Sequence, residues 1–155
     1  MNAPKFRKCL MRLIFLSICV LVPSVISIEA EWTAPDPRIS KVDAFFHAYS
    51  CPAPNHAADY VRAADLYDID YRILPAISLL ESTCGSYPRG NNHWGWDNGS
   101  ANFRSVEHGI DYIARQLSQA GPYKDRDLDG KLFSYNPRRA YVHLARRLIQ
   151  EIEAH

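Results

Sequence analysis

From Val42 to the C-terminus, apolar residues return every three or four positions, and each run is cut by proline, glycine or a polar cluster. That spacing confines the chain to short amphipathic helices packed against one another. Val42, Phe45, Phe46 and Tyr49 make one stripe, which Pro52 and Pro54 interrupt. Asn55 is placed to cap a second helix reaching about Tyr67, with Ala57, Tyr60, Val61 and Ala64 inward. The Asp68–Asp70 segment reads as a turn, and Asp70 as the cap of a third helix that runs to about Thr83. Pro75 falls near its first turn, where a missing N–H costs least. Gly85 is the stop signal.

Residues 86–104 have no helical period. Gly90, Gly95 and Gly99 among polar and aromatic residues predict an irregular lobe with room for a small hairpin. Ser105 then caps a long helix with Glu107 in its first turn, and Val106, Ile110, Ile113 and Leu117 form its buried stripe. An acidic turn at 125–130, a short helical turn and Tyr135-Asn136-Pro137 lead to a last helix. That helix spans about 138–153, with Tyr141, Leu144, Ala145, Leu148 and Ile152 inward. The fold class is mainly α, about six helices around a short irregular middle lobe.

The first thirty residues have another purpose. Lys5, Arg7, Lys8 and Arg12 precede Leu13–Ile28, which is apolar except for Ser17, Pro23, Ser24 and Ser27. No acid occurs before Glu29. This is the layout of a secretory signal peptide, residues 1–30, with cleavage expected after Ala30 or at the Val25-Ile26-Ser27 site. The apolar run is short for a membrane span, which needs ~20 residues. The protein is therefore expected outside the cytoplasm, secreted or periplasmic, with membrane contact only through this segment. Residues 31–40, with Pro35 and Pro37, read as an extended leader, and 41–155 as the domain. Its length of roughly 120 residues suits one core. Removing residues 1–30 turns the formal net charge from +1 to −2, which excludes a polybasic nucleic-acid binder.

Cys9 and Cys19 leave with the signal segment. Cys51 and Cys84 remain, an even pair in an oxidising compartment, and are expected to form one disulfide. Closing a loop of ~33 residues is worth about 3–4 kcal/mol in the chain-entropy picture. No metal or cofactor is expected. His47, His56, His108 and His143 are scattered along helices, and the CxxC spacing of a metal pair is absent. Asp125, Asp127, Asp129 and Gly130 match the opening of a calcium loop, but Asn136 stands where a bidentate carboxylate is required. The segment reads as a solvated acidic turn.

The chemistry concentrates at Glu81. On its helix, Leu74, Ile77 and Glu81 share one face, whereas Ser78 and Ser82 are assigned to solvent. A carboxyl beside apolar surface favours its neutral form, and such an acid can protonate a leaving oxygen. Asn91, Asn92, Trp94 and Trp96 follow at once. They offer amide hydrogen bonds and flat apolar faces, the complements of an acetamido sugar.

The ordered set "LLESTCG", "NNHWGW" and "FRSVEHGIDYIARQL" resembles the bacterial endo-β-N-acetylglucosaminidase domain of the lysozyme-like superfamily. In that family an Asn-Asn-x-Phe-Gly loop follows a helix-terminal Glu. "SYNP" followed by "AYVHLARRLIQEI" is similar to the closing section of the same group and to the Tyr-Asn motif of lytic transglycosylases. The resemblance covers about residues 70–152. It implies a lysozyme-like fold with a cleft between lobes, and cleavage of β-1,4 bonds in peptidoglycan or a related N-acetylglucosamine glycan. Carried over, it makes Glu81 the general acid, has Asn92 and Trp94 shape the sugar site, and sets Tyr135 near the acid. The sequence departs from the pattern at Trp94, where phenylalanine is usual, and in its short middle lobe.

Two-carboxylate hydrolysis needs a partner ~5–9.5 Å away, and Asp97 is the sole acid between Asn91 and Arg104. One-acid alternatives are substrate-assisted hydrolysis and formation of an anhydro-sugar end. Two further alternatives are a glycan-binding module without turnover and a helical structural domain that uses the tryptophans as core.

Overall fold

The computed structural model describes residues 34–87 and 90–155; the signal segment 1–30 and the start of the leader lie outside them. Six helices follow in order: α1 Pro37–Ala48, α2 Ala57–Tyr67, α3 Ile73–Ser82, α4 Val106–Gln119, α5 Leu128–Tyr135 and α6 Arg139–Ala154. No β-strand occurs among the described residues, and the small hairpin anticipated in 86–104 reduces to an isolated bridge at Asn92. The fold is mainly α. No described helix is long and apolar enough to cross a membrane.

The extended leader assigned to 31–40 is corrected. The chain becomes helical at Pro37, because Asp36 caps α1 by accepting from the Arg38 N–H at 2.9 Å, and proline fits the first helical position. The acidic turn shortens in the same way. Asp127 caps α5 by accepting from the Gly130 N–H at 2.8 Å, and Asp129 pairs with Arg146 at 3.0 Å. The resemblance to a calcium loop thus resolves into a helix cap and an interhelix ion pair. Asn55 accepts from the Ala57 N–H at 3.2 Å, and Asp70 from the Arg72 N–H at 3.0 Å; Asn55 stands one residue before its helix's cap position and Asp70 two.

The core is continuous. Val42, Phe45 and Phe46 of α1, Tyr60 and Val61 of α2, and Ile110, Ile113 and Leu117 of α4 are buried, as are Leu148, Ile149 and Ile152 of α6. Leu144, expected inward, is 36% exposed, and Ile149 takes its place. α2 packs on α4, α1 on α2 and α6, and α6 also on α3 and α5. The Cys51–Cys84 disulfide joins the end of α1 to the end of α3, with Cα atoms 5.5 Å apart. That separation lies within the usual bridging range.

Helix α3 is the centre of the domain. All six residues from Ile73 to Ser78 are buried. Ser78 and Ser82 are therefore not on a solvent face, as their polarity had suggested. Ser82 is satisfied inside: its hydroxyl donates to the His93 carbonyl at 2.7 Å and accepts from the Gly85 N–H at 2.8 Å. A buried hydroxyl with partners of this kind carries no large desolvation penalty.

Candidate active site

The end of α3 delivers Glu81 to a cleft. Thr83 and Cys84 take left-handed φ values of 50° and 55°, and Gly85 one of 85°, so the chain reverses immediately after the helix. A Cβ at Gly85 would lie 2.4 Å from the His93 ring, which explains why the stop is a glycine. The reversal brings the 90–104 segment back along the helix end. Ser82, bonded to the His93 carbonyl, fastens the two together.

The cleft has a volume of about 980 Å³. Glu81, Gly95, Trp96 and Asp97 line it from the helix end and the following loop. Tyr112 of α4, Tyr123, and Tyr135 with Asn136 at the end of α5 complete it. Among the described residues no lysine or arginine lines it. The Glu81 carboxylate sits against Gly95, where an added Cβ would meet Oε2 at 2.8 Å. Gly95 also has φ +61°, so both the backbone and the carboxylate require the absence of a side chain there.

Apolar surroundings close round Glu81 on one side only, and its residue is exposed. The expectation of a carboxyl enclosed by apolar surface is corrected accordingly. α3 turns its apolar residues into the core, and its last turn projects into open cleft. The closed side is formed by two phenols. Tyr135 donates its hydroxyl to the Trp94 carbonyl. Burial, and then the nearby Glu81 carboxylate, push its pKa well above the usual tyrosine value. Tyr141 stacks on Tyr135 with ring centroids 6.3 Å apart and 15° between planes. Its hydroxyl is buried without a well-formed hydrogen bond. Its pKa is likewise raised, first by burial and then by the Glu81 charge.

The loop residues divide into two groups. Trp94 is fully buried, and its indole N–H donates to the Leu74 carbonyl at 3.2 Å. It packs edge-on against Tyr60 and Phe103. The sugar contact expected at Trp94 is therefore corrected: the ring is core, and no face of it reaches the cleft. Asn92 is 2% exposed, and both ends of its amide hold the backbone of Trp96, each at 3.0 Å. Asn91 donates to the Phe103 carbonyl at 2.9 Å. These two amides are committed to the shape of the loop. Trp96 is half-buried and belongs to the cleft, with Tyr135, Tyr123 and Tyr112 around its ring at centroid distances of 5.8, 6.1 and 6.2 Å. Asp97 is exposed on the same cleft, with φ 53°, and accepts from the Ser100 hydroxyl in its own turn.

Sequence reasoning missed Tyr112, Tyr123, Asn136 and Tyr141 as neighbours of Glu81. Tyr112 carried a signal, since it lies outside the Ile110, Ile113, Leu117 stripe. Tyr141 was assigned to the core of the last helix, and its approach to Glu81 depends on how α5 and α6 pack. No family model, curated protein or solved structure matches the chain.

Proposed function

We propose that the protein is an exported glycosidase of lysozyme-like fold that cleaves β-1,4 bonds of N-acetylated glycans of the peptidoglycan type, with Glu81 as proton donor. One observation carries this reading. A single carboxylate stands at the end of a buried helix, flanked by two half-buried tyrosines, on the wall of a cleft faced with aromatic rings. Trp96 and Tyr123 offer flat faces to sugar C–H groups. Asn102 and Asn136 offer amides, which suit an amide-bearing sugar chain.

In this reading the Glu81 proton passes to the bridging oxygen as the anomeric C–O bond breaks. The carboxylate then accepts the proton of whatever attacks the anomeric carbon. A glycan lying in the cleft covers the open side of Glu81 and displaces its water. Asp97 is the available second carboxylate for hydrolysis.

Its bond to Ser100 favours a second reading, in which Asp97 serves the turn and a hydroxyl of the substrate attacks instead. The product then has an anhydro-sugar end, as with a lytic transglycosylase. Purified peptidoglycan incubated with the wild type should release soluble fragments, and Glu81→Gln should release none while keeping its circular dichroism. Equal release by both proteins rejects Glu81 as the acid. Mass spectrometry of the fragments distinguishes reducing from anhydro ends, and binding of chitooligosaccharide without any fragment would mark a glycan-binding module.

A further inference from the structure

A second group of polar side chains meets where α2 and α4 begin, and none of its members lines the Glu81 cleft. His56 immediately precedes α2, Asp59 lies in its first turn, and Glu107 in the first turn of α4. His56 Nδ1 is 3.3 Å from Asp59 Oδ2 and 3.4 Å from Glu107 Oε1. The ligand atoms of all three lie within 4.8 Å of one another.

A ring nitrogen carries one proton and can direct it to one oxygen, and good N–H···O bonds fall at about 2.7–3.2 Å. Here two carboxylates converge on the same nitrogen: Asp59 at the length of a long hydrogen bond, and Glu107 as an ion-pair neighbour slightly farther away. The spacing matches a different object. Bonds of about 2.0–2.2 Å from a tetrahedral cation to imidazole nitrogen and carboxylate oxygen set neighbouring ligand atoms about 3.4 Å apart, as both distances to His56 are, and the three atoms together stay within 4.8 Å.

We propose that His56, Asp59 and Glu107 form a site for a divalent transition-metal ion of the zinc type, clasping α2 to α4. Two carboxylates balance the charge of the ion, and the imidazole selects against calcium and magnesium, which prefer all-oxygen shells. The fourth position opens on a groove of about 560 Å³ that Asp43 and Asn55 also line. The imidazole is held in place beforehand. The His56 side chain is 12% exposed, and Asn55 donates to Asp43 at 2.6 Å on the groove wall. Glu107 is far from His56 and Asp59 in sequence, which is why histidine spacing alone gave no sign of the site. An ion bound only by the folded chain raises its stability.

Zinc chloride titrated into the full chain, followed by calorimetry and by thermal unfolding, tests the site. One zinc per chain and a raised Tm are expected. His56→Ala and Glu107→Gln should each lose about tenfold or more in affinity, whereas His143→Ala, at an exposed position of α6, should bind as the wild type does. Glu107 is itself exposed, so Glu107→Gln provides the comparison if His56→Ala fails to fold. Cobalt(II) in place of zinc should give the visible absorption of a tetrahedral centre. Absence of zinc uptake by the wild type overturns the proposal. So does undiminished affinity in Glu107→Gln, or an equal loss in His143→Ala.

Discussion

Trp94 lies directly on Gly109, so that a Cβ at that glycine would fall 2.6 Å from Cζ3 of the indole. Phe103 would be 2.9 Å from the same position. A glycine inside a helix costs about 1 kcal/mol relative to alanine. α4 bears that cost because the large ring at 94 occupies the space.

Gly109→Ala should therefore destabilise the fold even though it improves helix propensity. Overpacking costs about 1–3 kcal/mol, and a net loss of about 1–2 kcal/mol is expected after the propensity gain of about 1 kcal/mol. Urea unfolding with an unchanged slope measures it. A neutral or stabilised variant would mean that the two rings can withdraw without loss of packing.

Gly95→Ala separates stability from activity. The new methyl would meet Glu81 Oε2 at 2.8 Å, and a left-handed alanine costs about 1 kcal/mol. The expected outcome is a small fall in Tm together with a loss of about tenfold or more in fragment release, the scale of a misplaced catalytic group. Full activity at the lower Tm would show that the carboxylate need not rest where it does.

Tyr141→Phe removes a buried hydroxyl with no well-formed hydrogen bond, only a loose approach to the Glu81 carboxylate. Such a change is near neutral or stabilising, so the urea midpoint should hold or rise. Tyr135→Phe differs by the same atom but strips the Trp94 carbonyl of its donor. It should cost about 1 kcal/mol or more. Equal effects of the two substitutions would contradict this assignment of partners.

The pH dependence of stability has two edges with known signs. Burial lowers the His93 pKa from its usual 6.5, and the His56 charge lowers it further. The unfolded chain then takes up a proton that the folded one refuses, so His93 contributes stability above about pH 6.5 that is lost as pH falls. Tyr71 is pushed up to about 12, by burial first and by the Glu153 partner next, and burial raises Tyr135 and Tyr141 as well. Unfolded tyrosine ionises near 10, so stability should decline from about pH 10 upward, across the 10 to 12 window for Tyr71. Denaturation midpoints against pH, with tyrosinate absorbance at the alkaline edge, check both limbs.

Helices were legible because stripes such as Ile110, Ile113 and Leu117 need only local periodicity, and Ser105 announced its own cap. Even there, helix starts depended on details of capping: Asp36 with Pro37, and Asp127, each began a helix where extended chain or a turn was expected. The Cys51–Cys84 pair was legible from counting. Glu81 and the loop that follows it were legible as neighbours in space because they are neighbours in sequence. What failed was the direction of each side chain. Trp94 and Trp96 are two residues apart, yet one is core and one is cleft. Their difference is set by Asn92, which grips Trp96 from beneath, and by the space that Gly109 leaves for Trp94. Tyr123, Tyr141 and the His56 cluster depend on helix packing, which no local pattern encodes.

Helix α3 is enclosed from Ile73 to Ser78, so the turn that follows is anchored in the interior. The acid at its tip behaves as a fixed post, with freedom only in its own three side-chain torsions. If a glycan binds as proposed, accommodation must come from the guest or from the 95–104 segment, because the helix that presents Glu81 has nowhere to go.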